Sequence, residues 1–101
     1  MNQMQQMIQQ AQRMQRELAK AKAEMAQKEF VVSKNGIVTV KVMGDKSIKS
    51  IEIEEEALEP DNKEMIEDSI KVALEEIFAD IDKKNDEIEE SITGRVGGIG
   101  F

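Results

Sequence analysis

The first thirty residues carry an apolar spacing that constrains what the rest of the chain can fold into. Between residues 2 and 28, apolar positions alternate at intervals of three and four, which is the a and d pattern of a heptad repeat. These positions are Met4, Met7, Ala11, Met14, Leu18, Ala21 and Met25. A helix of this length would be a rod of roughly 40 Å, longer than a small domain requires. The seam serves either the protein's own core or a partner, and the spacing does not choose between them.

The opposite side of the same predicted helix is basic. At 100° per residue, Arg13, Arg16 and Lys20 fall within about 60° of one another and point away from the seam, while Lys22 flanks the seam. Side chains on this stripe stay accessible when the seam is packed, and a row of cations suits a polyanion. These four residues are therefore the candidate binding residues.

The composition removes the usual parts of most enzymes. The chain has no cysteine and no histidine, which excludes thiolate nucleophiles, imidazole bases, disulfides and Cys/His zinc sites. The acidic run from Asp80 to Glu87 lacks the glycine of a calcium loop and fits a continuing helix better. We therefore expect no catalytic residue, no metal, no cofactor and no small-molecule substrate. No stretch resembles a signal peptide or a membrane span, which predicts a soluble cytoplasmic protein.

The low aromatic content limits both the size of the core that one chain can form and the kind of ligand that it can bind. Only three of the 101 residues are aromatic, Phe30, Phe78 and Phe101, so the core of one chain should be thin. Oligomerisation is the natural remedy, and we expect an obligate homodimer. Because Tyr and Trp are absent, the chain offers no aromatic platform for single-stranded nucleic acid.

Charge divides the chain into two parts. Residues 1–29 have a net charge of +2 and residues 30–51 of +3, whereas residues 52–101 hold five cations and seventeen anions. The total of −7 argues against nucleic-acid binding as a default. Screening over roughly 10 Å nevertheless lets a local basic face act separately from a distant acidic helix.

After Lys28 the pattern changes to the alternation of β-strands. Asn35-Gly36 is the strongest short signal for a hairpin, because a type I′ turn needs positive φ at both central residues. Pairing Lys34 with Ile37 across this turn sets Val31 opposite Val40. The core face of the first hairpin should then hold Val31, Val38, Val40 and Val42.

A second turn at residues 44–47 leads to a third strand. If Met43 pairs with Ile48, then Val40 faces Ile51 and Val38 faces Ile53, which extends the apolar face. A slip of one residue would set Lys49 against Val40 instead. The sequence therefore predicts a three-stranded antiparallel meander in which Ile51 is a core residue.

The last helix should begin just after Pro60, where Asp61 and Glu64 have the spacing of a capping box. Apolar residues then recur every three or four positions as far as Ile92, and Thr93-Gly94 can end the helix. We predict one α+β domain over residues 1–93, with the order α-β-β-β-α, and a flexible glycine-rich tail over residues 94–101.

Several segments together resemble a known family. The resemblance covers nearly the whole chain and is fairly specific in the spacing from Gly44 through Ile51 and Ile53 to the start of the last helix. The matching segments are Gln10-Ala11-Gln12-Arg13-Met14-Gln15, the meander residues Gly36, Val38, Val40, Gly44, Ile51 and Ile53, the stretch Leu58-Glu59-Pro60-Asp61-Asn62-Lys63-Glu64-Met65, and the tail Gly97-Gly98-Ile99-Gly100. The chain resembles the YbaB/EbfC family of bacterial nucleoid-associated proteins.

The resemblance implies a tweezer-shaped homodimer that binds double-stranded DNA with low sequence specificity, on the nucleoid in the cytoplasm. Arg13 and Arg16 lie in the part of the first helix that matches, so the DNA-binding residues are expected to be Arg13, Arg16, Lys20 and Lys22. The alternative is a protein-interaction or chaperone-like module, in which the Met-rich seam clasps another protein and no DNA is bound. An enzyme is disfavoured by the missing catalytic residue types.

Overall fold

The computed structural model describes the backbone of residues 2–100 and the side chains of residues 2–94. It has the predicted order of elements, a long helix, a three-stranded antiparallel sheet and a second long helix. Their bounds are α1 Gln3–Ala26, β1 Glu29–Lys34, β2 Val38–Met43, β3 Ile48–Ile53 and α2 Lys63–Gly100. The prediction that the last helix ends at Thr93-Gly94 is wrong, because α2 continues to Gly100. The flexibility predicted for residues 94–101 stays a prediction.

Helix α1 begins where a polar residue can cap it. The side chain of Asn2 accepts a hydrogen bond from the backbone N–H of Gln5 at 2.8 Å, which satisfies one of the free donors of the first turn. At the other end Gln27 closes the helix with backbone hydrogen bonds to Glu24 and Met25. The heptad prediction of one long helix is confirmed.

The first hairpin has the predicted turn but a different register. Asn35 and Gly36 both have positive φ, 56° and 67°. The N–H of Ile37 donates to the carbonyl of Lys34 at 3.1 Å and closes the turn, while the carbonyl of Ile37 accepts a hydrogen bond from the N–H of Glu54 at 2.9 Å. Ile37 thus belongs to the turn and lies outside the ladder between β1 and β2. Lys34 therefore lies opposite Val38.

This shift of one residue exchanges the two faces of β1. The prediction that Val31 lies opposite Val40 and faces the core is wrong. Val32 takes that place and Val31 is 51% exposed on the outer face. Phe30, opposite Val42, packs against the core in its stead.

The second hairpin follows the predicted register over most of its length. Val38 lies opposite Ile53 and Val40 opposite Ile51, as expected. The expected pairing of Met43 with Ile48 is wrong, because a bulge at Lys49 brings Ile48 opposite Val42. Ile51 lies on the helix-covered side of the sheet but is 43% exposed there, so its assignment to the core is also wrong for the single chain.

Helix α2 covers the sheet only in part. It starts at Lys63, two residues after the predicted point, because Pro60–Asn62 forms a separate short 3₁₀ turn. It packs across β1 and β2 and reaches β3 far less. The buried cluster formed between these layers consists of Met25, Val38, Val40, Val42, Ile66, Ala73, Ile77 and Ile81.

One glycine fixes where α1 joins the sheet. Gly44 follows β2, and its backbone N–H donates to the carbonyl of Lys28 at 2.8 Å. A Cβ added at Gly44 would lie 1.8 Å from the carbonyl oxygen of Met25, so the end of α1 can approach the sheet this closely only at a glycine. Met25, the last seam residue, is buried at this junction.

We therefore predict that Gly44→Ala is strongly destabilising. The overlap is with backbone and cannot be relieved by a rotamer change, so the free energy of unfolding should fall by about 3 kcal/mol or more in urea titrations. Gly36→Ala is the matched control, since it has open space around it and should cost only about 1–2 kcal/mol through its positive φ. Equal costs at the two positions would contradict the close approach of α1 to the sheet.

A second prediction concerns the bulge at Lys49. Its ammonium donates a hydrogen bond to Glu29 at 2.9 Å, and this bond and the charge of Lys49 lower the pKa of Glu29 from its ordinary value of 4.5. Lys49→Ala should raise the pKa of Glu29 towards that value in an NMR titration. Because the folded-state pKa is lowered, the pair contributes its small stability above pH 4.5 and loses it as pH falls through the lowered pKa. If the pKa of Glu29 is unchanged in the variant, Lys49 does not contact Glu29.

Candidate nucleic-acid interface

Helix α1 places the predicted cations on a surface that the rest of the chain leaves open. Arg13, Arg16 and Lys20 are all exposed. On the opposite side of the helix Met14 and Leu18 are half-buried, and Met25 is only 2% exposed. The predicted division of α1 into a packed side and a basic side is therefore present in the structure.

The apolar seam itself is packed over only part of its length. Towards the sheet it meets α2, where Ile88 packs against the core and Ile92 is buried. Towards the N-terminus the seam is bare, with Met4 71% and Met7 68% exposed. The distal half of α1 thus projects as an arm.

The shape of the whole chain agrees with a projecting arm. Its extents are 71 × 23 × 14 Å. The radius of gyration is 20.1 Å, whereas a compact domain of this length would have about 13 Å. The basic stripe lies along this arm and away from the sheet.

Lys22 differs from the other three cations. Its ammonium forms an ion pair with Glu89 of α2 at 2.5 Å, and both side chains are about half-exposed. This pair ties the two helices together beside the packed part of the seam. Lys22 is therefore partly neutralised within the chain.

Three of the four lysines in the sheet and its second turn, all except Lys41, are neutralised in the same way. Lys34 pairs with Glu76 at 2.6 Å, and Lys46 pairs with Asp82 at 2.6 Å. Lys49 pairs with Glu29 on the outer face of the sheet. Among the described side chains, none of the ion pairs involves Arg13, Arg16 or Lys20.

Two anions moderate the basic stripe. Glu17 follows Arg13 by four residues and Glu24 follows Lys20 by four, so both flank the stripe. Helix α1 holds four cations and two anions and is weakly positive. Long neutral side chains continue the stripe towards the tip of the arm, at Gln5, Gln6 and Gln9.

The described residues also lack the clustered ligands of a metal site. No group of three or more Asp or Glu side chains in residues 2–94 is placed to hold a metal ion. A cavity of about 420 Å³ lies between the first hairpin and α2, where Asn35 donates a hydrogen bond to Ser69 at 2.7 Å. This bond fastens the hairpin to the helix.

No helix in the described part of the chain is long and apolar enough to cross a membrane.

The structure thus presents a projecting helix with an exposed basic stripe. The chain belongs to the YbaB/EbfC DNA-binding family, whose sequence model matches residues 1–96. The family is described by DNA binding and not by an enzymatic reaction.

Named relatives agree with this family. A nucleoid-associated protein of Clostridium novyi (strain NT) is 38% identical over 89 residues, which are 87% of this chain and 78% of the relative. A nucleoid-associated protein of Metamycoplasma arthritidis (strain 158L3-1) is 38% identical over 82 residues, covering 81% and 85% of the two chains. A nucleoid-associated protein of Acetivibrio thermocellus is 37% identical over 94 residues, covering 92% and 83%.

Lys22 forms an ion pair and Arg16 is in none of the described ion pairs, which leads to a prediction. Lys22→Ala removes an ion pair between helices and should lower the free energy of unfolding by up to about 1 kcal/mol, with little effect on DNA affinity. Arg16→Ala should instead weaken DNA binding and leave the free energy of unfolding nearly unchanged, because no described side chain forms an ion pair with Arg16. Thermal unfolding and a DNA titration on both variants measure the two effects. An affinity loss for Lys22→Ala equal to that of Arg16→Ala would contradict the separate roles.

Proposed function

We propose that this protein binds double-stranded DNA as a homodimer, with low sequence specificity, through phosphate contacts from Arg13, Arg16 and Lys20. Lys22 is a secondary contact because Glu89 already pairs with it. The protein acts on the nucleoid, in the cytoplasm. Membership of a DNA-binding family supports the choice of ligand.

The observation that carries the proposal is the contrast between the arm and the sheet. Three of the four lysines between residues 29 and 53 pair with a carboxylate, and the exception, Lys41, is only partly exposed. Arg13, Arg16 and Lys20 are exposed on one helix face and take part in none of the ion pairs among the described side chains. The net charge of −7 would repel DNA from most of the surface, so an approaching duplex meets the least repulsion at the arm.

Phosphate contacts explain why little sequence preference is expected. Cations on the outside of a helix can satisfy phosphates of any duplex, and such contacts position a protein without reading bases. Two-fold symmetry doubles the number of cations offered to the DNA. With four to eight phosphates neutralised, log K should fall with log salt at a slope of roughly −4 to −7.

We predict that Arg13→Ala combined with Arg16→Ala weakens binding by a similar factor on unrelated duplexes and flattens the salt slope by about 2–4. Titrations by fluorescence anisotropy between about 50 and 200 mM salt measure both quantities. Lys63→Ala with Lys71→Ala is the matched control, since it removes the same charge from α2 and should leave the slope unchanged.

The sheet is the alternative contact surface in the same assay. If the arm variant binds as wild type does while Lys41→Ala with Lys46→Ala abolishes binding, the arm is not the site. None of the four residues lies on the seam, so we expect the variants to keep the oligomeric state of the wild type. Sedimentation of each variant checks this.

One observation favours a second function. The bare distal seam, with Met4 and Met7 exposed and Ile8 exposed beside it, is an adaptable apolar surface of the kind that binds another protein. A gel shift separates the two functions. If the protein at micromolar concentration retards no duplex even at low salt, the interaction module becomes the better description.

A further inference from the structure

The N-terminal end of α1 carries an apolar surface that is bare in the structure. Met4 is 71%, Met7 68% and Ile8 50% exposed. Met4 and Met7 occupy seam positions, and the seam continues inwards through Ala11 to the part that packs against α2. A contiguous apolar patch, unlike single scattered side chains, marks an interaction site. We call residues 3–11 of α1 the arm tip.

Helix α2 ends before it reaches the arm tip. The two helices run antiparallel, and the ion pair between Lys22 and Glu89 shows which of their residues lie level. Gly100, the last residue of α2, comes eleven residues after Glu89. Eleven residues back from Lys22 along α1 lead to Ala11. The arm tip therefore extends beyond the end of α2, and its seam is open to another molecule.

The arm tip is neutral, although the chain is strongly acidic. The first charged side chain in the sequence is that of Arg13, so residues 1–12 contribute none. Two copies of a chain with a net charge of −7 repel each other over most of their surfaces. This repulsion is weakest where neither copy carries charge. The arm tip is thus a surface at which one copy can approach another.

The residues beside the seam at the arm tip suit an identical partner. Gln3 and Gln10 hold heptad positions that flank the seam, and both are exposed. Such positions often hold charged residues, which select a partner of opposite charge and repel an identical helix. A glutamine amide both donates and accepts hydrogen bonds, so it can pair with the same residue of another copy. The flanks therefore favour a second copy over a partner of fixed charge.

We propose that the arm tips of separate molecules bind each other through Met4, Met7 and Ile8. The two tips run antiparallel, because this arrangement keeps the acidic bodies of the two molecules apart, whereas a parallel one sets them side by side. Met7 lies near the middle of the overlap, beside the two-fold axis. The basic stripe points away from the seam and stays accessible. The contact goes beyond the proposed DNA binding and does not depend on it.

The contact is small and gains its effect on DNA. A standard interface buries about 800 Å² on each partner, and two overlapping helix ends bury less, so the contact is weak between free molecules. Molecules held on one duplex have a high effective concentration for each other, which strengthens a weak contact without any new interaction. Arm tips that bind each other would link molecules already placed on DNA.

The first test adds one negative charge to either side of the same helical turn. Met7→Glu places the charge on the seam, and Gln6→Glu places it on the side of the basic stripe. Both positions are exposed, and glutamate favours the first turns of a helix, so both variants should fold. Sedimentation velocity without DNA, up to millimolar protein, should show species larger than the homodimer for wild type and Gln6→Glu. Met7→Glu should weaken this association at least about tenfold, because two unpaired charges would meet at the contact.

Salt dependence is a further readout of the same experiment. The association should become stronger between about 50 and 500 mM salt, because screening reduces the repulsion between acidic molecules while the apolar contact remains. Wild type that forms nothing larger than the homodimer overturns the proposal. Met7→Glu that associates as wild type does, or Gln6→Glu that loses association equally, also overturns it.

The absence of cysteine from the chain allows a direct test of the contact. Met7→Cys should form a disulfide between copies when oxygen with copper phenanthroline takes up the two electrons and two protons that the thiols lose. Gln6→Cys, which faces away from the contact, should react far less. Size exclusion without denaturant should show that the Met7→Cys product is larger than the untreated protein. A disulfide-linked product of unchanged size would place the contact between two arms of one particle and overturn the proposal.

The DNA proposal and the tip contact can fail separately. On a duplex too short for more than one molecule, Met7→Glu should bind nearly as wild type does, whereas Gln6→Glu should bind more weakly because its charge lies beside the basic stripe. A protein whose tips associate but which retards no duplex removes the DNA function and leaves the contact. A protein that binds DNA but whose arm tips neither associate nor cross-link removes the contact and leaves the function.

Discussion

The close contact between Gly44 and the end of α1 is the constraint on which the other features depend. The carbonyl of Met25 occupies the space that a side chain at position 44 would need, and the N–H of Gly44 bonds to Lys28. The direction in which α1 leaves the sheet is therefore fixed by backbone and not by adjustable side chains. Because α1 is rigidly placed, the described side chains of α2 meet its seam near the sheet, and the N-terminal part of α1, with Met4 and Met7 exposed, projects.

Ion pairs elsewhere in the chain make the projecting helix distinct in its exposed positive charge. The acidic residues of α2 hold Lys34 and Lys46 of the sheet and Lys22 near the base of the arm. The same helix that covers the core thus neutralises these three lysines. What is left is a stripe on the arm that no described carboxylate pairs with, so the local charge and the net charge of the chain have opposite signs.

Periodicity predicted the elements of this fold well because it reports which side of a helix or strand is apolar. It predicted α1, the meander, α2 and the pairing of Val40 with Ile51. It failed for Val31, because one extra residue in a turn reverses a whole strand and β1 has apolar residues on both faces. The ion pair of Lys22 with Glu89 joins residues 67 positions apart, and no local pattern can show such a contact. The stripe itself was predictable, since it depends only on helical spacing.

The uneven distribution of charge has a consequence for protein molecules bound side by side. If the arms hold the duplex, each molecule turns its sheet and the acidic face of α2 outwards. A duplex covered in this way would present carboxylates to its surroundings where bare DNA presents phosphates. Its surface would stay negative while becoming wider and less densely charged, so neighbouring covered segments would still repel one another. Such a coat separates DNA segments electrostatically, and drawing them together would require contacts of another kind, such as the bare apolar tips of the arms.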